Sequence, residues 1–263
     1  MLPFLKWAGG KRWLFESKQF ELPELQGRYF EPFLGGGAVF FWSLPENAYL
    51  SDANDRLIEL YQVLRDELTD FLSLLEVHAA LHSKDYYYAI RDMEYRTPVG
   101  RAAQFLYLNR TCWNGLYREN TQGKFNVPIG TKDTVIYPFD DFEGWSKALV
   151  GKEVVHQDFE KTIDLAGEGD LIFVDPPYTV RHNMNGFVKY NQNIFAWEDQ
   201  ERLRDALRRA SQRGASFAMT NADHESIKDL YKDLGTHTQL GRHSKIAGKS
   251  EFRAQSTELM VVG

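Results

Sequence analysis

The residues with the plainest chemical content are Asp175-Pro176-Pro177-Tyr178, which follow four apolar residues, Leu171-Ile172-Phe173-Val174. A short apolar run with β-branched members predicts a strand buried on both faces. A carboxylate at the carboxyl end of such a strand stands where open α/β sheets bind ligands. Pro176 holds Asp175 extended and removes a backbone donor, so the local carbonyls are left to accept. Rigid acceptors beside an aromatic ring suit a flat base bearing an –NH2 group. A strand-ending turn explains the same four residues about as well, because so short a string recurs by chance.

The rest of the chain weighs on that choice. Tyr29 to Phe41 runs from an apolar strand through Gly35-Gly36-Gly37 into an apolar helix start, the geometry of a nucleotide-binding first crossover. Its spacing departs from the dinucleotide fingerprint, which argues against a nicotinamide enzyme. Ala48 to Asp52 predicts the second strand, ending in an acid roughly 15–20 residues past the glycines, where a ribose-binding carboxylate is expected. A helix cap is the competing role for Asp52, since the periodic stretch Leu57, Ile58, Leu60, Tyr61, Val63, Leu64 follows. Lys6-Trp7-Ala8-Gly9-Gly10-Lys11 brings amides and lysines together, but it lacks phosphate-loop spacing and a surface turn explains it as well. Lys152 to Asp158 predicts a strand ending in a third acid.

Between Arg91 and Lys132 seven Lys or Arg face three Asp or Glu, a local excess in a chain of formal net charge −6. Here helical periodicity gives way to glycine-punctuated loops, Asn109 to Arg118 and Gly123 to Pro128, that mix amides, aromatics and bases. Such a mixture suits contacts to base edges and phosphates, although a solvated charged face explains most of these residues singly. Beyond Tyr178, Thr179 to Asn193 is a long polar loop expected to act as a lid or substrate contact. Asp199 to Arg213 predicts an amphipathic helix closed by Gly214, and Ala215 to Thr220 a buried strand. Thr236–Arg242 and Thr257–Val262 predict closing strands around a basic turn with Arg242, Lys245, Lys249 and Arg253. Length 263 and 43% hydrophobic content allow one α/β domain carrying an insertion. The single cysteine, Cys112, excludes an internal disulfide and a cysteine-built zinc site. No stretch has the apolar length of a signal peptide or a membrane span, so a cytoplasmic protein without membrane contact is expected.

Placed in order, these pieces resemble the Dam-type (D12 class) family of DNA adenine-N6 methyltransferases. Five blocks carry the resemblance: LKWAGGK at 5–11, FEPFLGGGAVF at 30–40, SDAN at 51–54, NRTCWNGLYREN with GKFNVPIG across 109–130, and DPPY at 175–178. The resemblance implies a Rossmann-like S-adenosylmethionine-dependent methyltransferase sheet, residues 1–60 and 150–263, with a mainly helical target-recognition domain inserted at 61–149. It implies that Trp7, Lys11, Phe33, Gly35, Gly37 and Asp52 surround S-adenosylmethionine, with Asp175 alongside, and that Asp158 and Phe159 hold its adenine. Asp175, Pro176 and Tyr178 would hold the target adenine. Lys6, Asn114, Leu116, Arg118 and Pro128 match base-contacting positions. Thr131-Lys132 stands where an arginine usually follows the family's NVP-x-G segment, and the Arg181-His182-Asn183 loop also departs from the commonest pattern, so the implied site is GATC or a related short palindrome.

The implied chemistry is methylation of the exocyclic amine of adenine in double-stranded DNA. Asp175 and the Pro176 carbonyl would each accept one amine hydrogen, exposing the nitrogen lone pair, with the base flipped out and stacked on Tyr178 and no metal required. A monomer is expected, with a cognate restriction endonuclease, where one exists, acting separately. Other –NH2 acceptors (cytosine, an RNA base, a protein amide) and a DNA reader without turnover are the competing readings.

Overall fold

Seven strands are described: β1 Tyr29–Glu31, β2 Ala48–Asp52, β3 Glu153–His156, β4 Leu171–Val174, β5 Ser216–Ala222, β6 Thr236–Arg242 and β7 Ser256–Val262. The structure, a computed structural model, describes residues 1–16, 20–120, 122–181, 195–242 and 256–263. Most of the Thr179–Asn193 loop and the turn holding Lys245, Lys249 and Arg253 therefore lie outside the described residues. The chain divides into two compact units.

The second unit (13–34, 45–51 and 157–263) carries the strand order β2-β1-β4-β5-β7-β6. All four β4 side chains are buried, as an unbroken apolar run requires when parallel neighbours cover both edges and helices the faces. β1 pairs with it through Tyr29↔Leu171 and Phe30↔Ile172, and β5 through Leu171↔Ser216 to Val174↔Met219, both parallel. Chain order reverses between β1 and β4, so their carboxyl ends flank a topological switch point, the usual ligand position in such sheets. One end leads into Pro32-Phe33 and the other into Asp175-Pro176. β7 enters antiparallel between β5 and β6, from Ala218↔Val262 and Thr236↔Val262 onward. The helix Trp197–Gln212 buries Leu203, Ala206, Leu207 and Ala210 on one stripe, and Gly214 beyond its end takes φ +90°, as a helix-ending glycine can.

The first unit (1–12, 35–44 and 52–156) is mainly helical. Asn54 caps the helix Asp55–Asp66 by accepting from the Leu57 amide at 3.0 Å, so capping falls to Asn54 and Asp52 is left for another role. Tyr86, Tyr87 and Tyr88, which interrupt the apolar periodicity, lie within a helix, Lys84–Asp92, capped by Ser83. The helix Pro98–Thr111 is the unit's centre: Gly100 and Ala102 to Thr111 are buried. Its Arg110, 1% exposed, is paired with Asp140 and donates to the carbonyls of Val135 (2.7 Å) and Phe4 (3.2 Å). That satisfies a charge which unpaired burial would make very costly. β3 is shorter than expected: it stops at His156, and Asp158 instead caps the helix Phe159–Asp164 of the second unit. Asp is among the preferred N-caps, and the Asp158 side chain accepts from the Glu160 amide.

Candidate active site

In the first unit the glycine-rich segment is tied down from two sides. The Gly35 amide donates to Asp52 Oδ2 at 2.9 Å, and the Tyr61 hydroxyl donates to the Gly35 carbonyl at 3.0 Å. Gly35 takes φ +49°, and a Cβ there would lie 2.8 Å from the Trp7 ring, so glycine is needed for conformation and for close approach. Gly37, at φ +64°, opens the helix Ala38–Ser43. Trp7 stacks on Tyr117 (5.7 Å between centroids, 28°). Lys11 is buried, and its ammonium donates to the Gly9 carbonyl at 2.8 Å. Burial raises the pKa of Asp52, and the amides of Gly35, Asn54 and Ala53, which favour the carboxylate, offset part of that rise. Trp7, Lys11, Gly35, Gly37 and Asp52 thus belong to one unit, and Trp7, Gly35 and Asp52 touch in sequence. The chemistry of this set, a held carboxylate beside a glycine cradle and an indole, fits a nucleoside ligand.

In the second unit, side chains at and beyond the strand ends form a cluster of their own. The Thr220 hydroxyl, on β5 one residue past the Val174↔Met219 pair, donates to Asp175 Oδ1 at 2.7 Å. The Tyr178 hydroxyl donates to Glu258 Oε2 at 2.6 Å, and Glu258 is itself buried. Burial raises the Tyr178 pKa well above its ordinary value, and the charges of Asp175 and Glu258 add to the rise, so the phenol stays a donor. Pro176 is buried, and Asp175 and Tyr178 are half-buried. Phe33 stacks on Phe159 (5.2 Å, 23°), and Phe195 meets both rings at 5.6 Å. Asp158 accepts from the Glu160 amide at 3.0 Å and from Arg202 at 2.8 Å.

The residues matched to base contacts share the first unit. Lys6 lies against Gly115, whose φ is +65° and whose Cβ would meet the Lys6 chain at 2.6 Å. Asn109 clamps the Lys6 backbone in both directions, accepting from its amide (3.1 Å) and donating to its carbonyl (2.8 Å). Asn114 takes a left-handed φ of 56°. The two arms of the loop are stitched together by Trp113 N to Pro128 O (2.9 Å) and Asn126 N to Arg118 O (3.1 Å). Asn114, Leu116, Arg118 and Pro128 are all exposed, and Arg118 Nε is oriented by Asn126 Oδ1 at 2.8 Å. A groove of the same unit is lined by Lys6, Cys112, Trp113, Asn114, Thr131 and Lys132, placing the Thr131-Lys132 departure from the family pattern beside a matched lysine and asparagine. Cys112 is 2% exposed, and burial pushes its thiol up to about 11, which leaves it a small buried residue without nucleophilic character.

Comparison with known proteins decides the family. A profile described as D12 class N6 adenine-specific DNA methyltransferase matches residues 7–246. The chain belongs to this family. The methyltransferase is 35% identical to type II methyltransferase M1.LlaDCHI of Lactococcus lactis subsp. cremoris, over 98% of its own length and 94% of the relative. It is 32% identical to the DNA adenine methylase of Haemophilus influenzae, over 99% and 93%. With the DNA N-6-adenine-methyltransferase of phage P1 it shares 39% identity across 97% of its length, spanning 34% of that longer protein. Its mixed α/β fold agrees with a methyltransferase that draws on S-adenosylmethionine, the donor this class of enzyme generally uses, and its substrate is DNA. No helix among the described residues is long and apolar enough to cross a membrane.

Sequence reasoning passed over Thr220, Glu258, Phe195, Asn109 and Arg202. Thr220 had the same signal as Asp175, a polar residue closing an apolar strand. Glu258 is a lone buried acid on β7, and nothing local marks it as a partner of Tyr178, 80 positions away.

Proposed function

We propose that the methyltransferase acts as a cytoplasmic monomer that methylates N6 of an adenine flipped out of duplex DNA, within GATC or a related short palindrome. The reading rests on Asp175, fixed by Thr220 at the carboxyl end of β4 and followed by the acceptor-rich Pro176-Pro177 turn. The bound donor supplies a methyl group on a sulfonium centre. Asp175 accepts one hydrogen of the target amine and the Pro176 carbonyl accepts the other. This draws the nitrogen out of conjugation and frees its lone pair. Transfer forms the N–C bond as the donor's S–C bond breaks, releasing S-adenosylhomocysteine, and the amine's surplus proton passes to Asp175 and on to water. Tyr178 provides the surface on which the extruded base stacks, its ring anchored through its hydroxyl to Glu258. Trp7, Lys11, Phe33, Gly35, Gly37, Asp52, Asp158 and Phe159 are the residues assigned to donor binding. Lys6, from outside the recognition region assigned to 61–149, and Asn114, Leu116, Arg118 and Pro128 within it read the duplex. The type II name of the Lactococcus relative makes a separately acting endonuclease the partner to look for.

Labelled methyl transfer to a duplex library, with base-resolved mapping, tests the reading. Methyl on adenine within one motif is expected, and Asp175→Ala abolishes transfer while duplex binding persists. Label on cytosine overturns the acceptor, and full transfer by Asp175→Ala overturns the assigned chemistry.

A further inference from the structure

Arg202, on the helix Trp197–Gln212, reaches residues 42 and 44 positions earlier in the chain. Its Nη2 donates to Asp158 Oδ1 at 2.8 Å, its Nε to Glu160 Oε2 at 3.0 Å and its Nη1 to Asp199 Oδ1 at 2.8 Å. The guanidinium carbon also sits 4.8 Å from the centroid of the Phe159 ring. One planar group therefore touches both members of the Asp158-Phe159 pair. Asp158 Oδ1 takes two donors, Arg202 and the Glu160 amide, whereas Oδ2 accepts no hydrogen bond among the described residues. Two donors on one oxygen orient the carboxylate and leave the other oxygen as an acceptor, on the residue next to Phe159, whose ring stacks on Phe33.

We propose that Arg202 is a positioning residue for the methyl donor: by fixing Asp158 and Phe159 it sets both the affinity for the donor and the selection of adenine as its base. This rests on the reading that Asp158 and Phe159 hold the donor's adenine. A directed carboxylate oxygen accepts a hydrogen from an exocyclic –NH2. Facing the 6-carbonyl of hypoxanthine, it meets a second acceptor, so the ordered carboxylate rejects an inosine donor. Without Arg202 the carboxylate rotates, and that rejection weakens.

Calorimetric binding of S-adenosylhomocysteine and of its inosine analogue, to the wild type, Asp158→Ala, Arg202→Met, Arg202→Lys and the double variant, tests the proposal. Arg202 is 42% exposed, so Met keeps its apolar stem without opening a core cavity. Arg202→Met is expected to weaken S-adenosylhomocysteine about tenfold, the scale of one charge-assisted hydrogen bond. It narrows the adenosine-to-inosine preference and raises KM for the donor, with kcat at saturation within about twofold. Lysine restores part of the affinity, and the double variant binds no worse than Asp158→Ala alone, because both changes remove one coupled unit. Unchanged affinity and preference in Arg202→Met, with only a lower melting temperature, overturns the proposal, and additive losses in the double variant do so too. If Asp158→Ala itself leaves binding and preference intact, the donor assignment of Asp158 is what fails, and the role of Arg202 falls with it.

Discussion

Replacing Thr220 by valine isolates a single hydrogen bond at the reacting centre. The side chain is fully buried on β5, and valine matches its shape, so the sheet keeps its Thr220↔Met260 register. What is lost is the 2.7 Å donation to Asp175 Oδ1. A hydrogen bond to a charged group contributes about 1.5–3 kcal/mol. Asp175 is half-buried, so water replaces part of that loss and the lower end applies. At 1.36 kcal/mol per factor of ten, the expected effect is about a tenfold drop in kcat/KM. Single-turnover methyl transfer on a cognate duplex reads it, alongside donor and duplex affinities that stay within about twofold. Thr220→Ser keeps the hydroxyl and most of the rate. Transfer by Thr220→Val within twofold of wild type refutes the idea that Thr220 holds Asp175 for catalysis, and an equal loss in the serine variant shows that packing, not the hydroxyl, is what matters.

Three further outcomes follow from the geometry. Arg118→Ala costs about 1–3 kcal/mol at one base pair if the guanidinium, pre-oriented by Asn126, grips a base edge; competition binding across single-base variants checks it, and equal losses on every sequence make it a phosphate contact. Gly35→Ala places a side chain at φ +49° with its Cβ 2.8 Å from Trp7; urea unfolding should show about 2 kcal/mol of lost stability, together with weaker donor binding, and an unchanged midpoint contradicts the strain. Asp223, whose pKa is lowered from 3.8 to about 2 by the Lys228 ammonium first and by hydrogen bonds from Thr257 and Gln239, stabilises the fold above the ordinary value. Because the folded-state pKa is the lower one, that contribution is lost as pH falls from about 4 towards 2. The stability gap between wild type and Asp223→Asn should close over that window, and a gap constant with pH argues against the ion pair.

Much of this protein is written locally along the chain. Four consecutive apolar residues, two of them β-branched and closed by Asp-Pro-Pro, mark β4, because a strand covered on both faces buries all of them. Asp52, Asn54 and Asp55 before a 3.6-residue periodicity are enough for a helix start, although the cap proved to be Asn54 and not Asp52, and glycines at 35 and 37 mark turns that other residues enter only under strain. The five motif blocks carry the family itself, since each keeps its own short spacing. Tertiary structure alone decided the partners: Thr220 on Asp175, Glu258 on Tyr178 and Arg202 on Asp158 are joined across 45, 80 and 44 positions. It also placed β7 antiparallel between β5 and β6, and turned Asp158 from a strand end into a helix cap. A hydrogen bond between distant residues leaves no periodic trace in sequence, because either partner alone is just another polar side chain on an element whose pattern is set by its apolar neighbours.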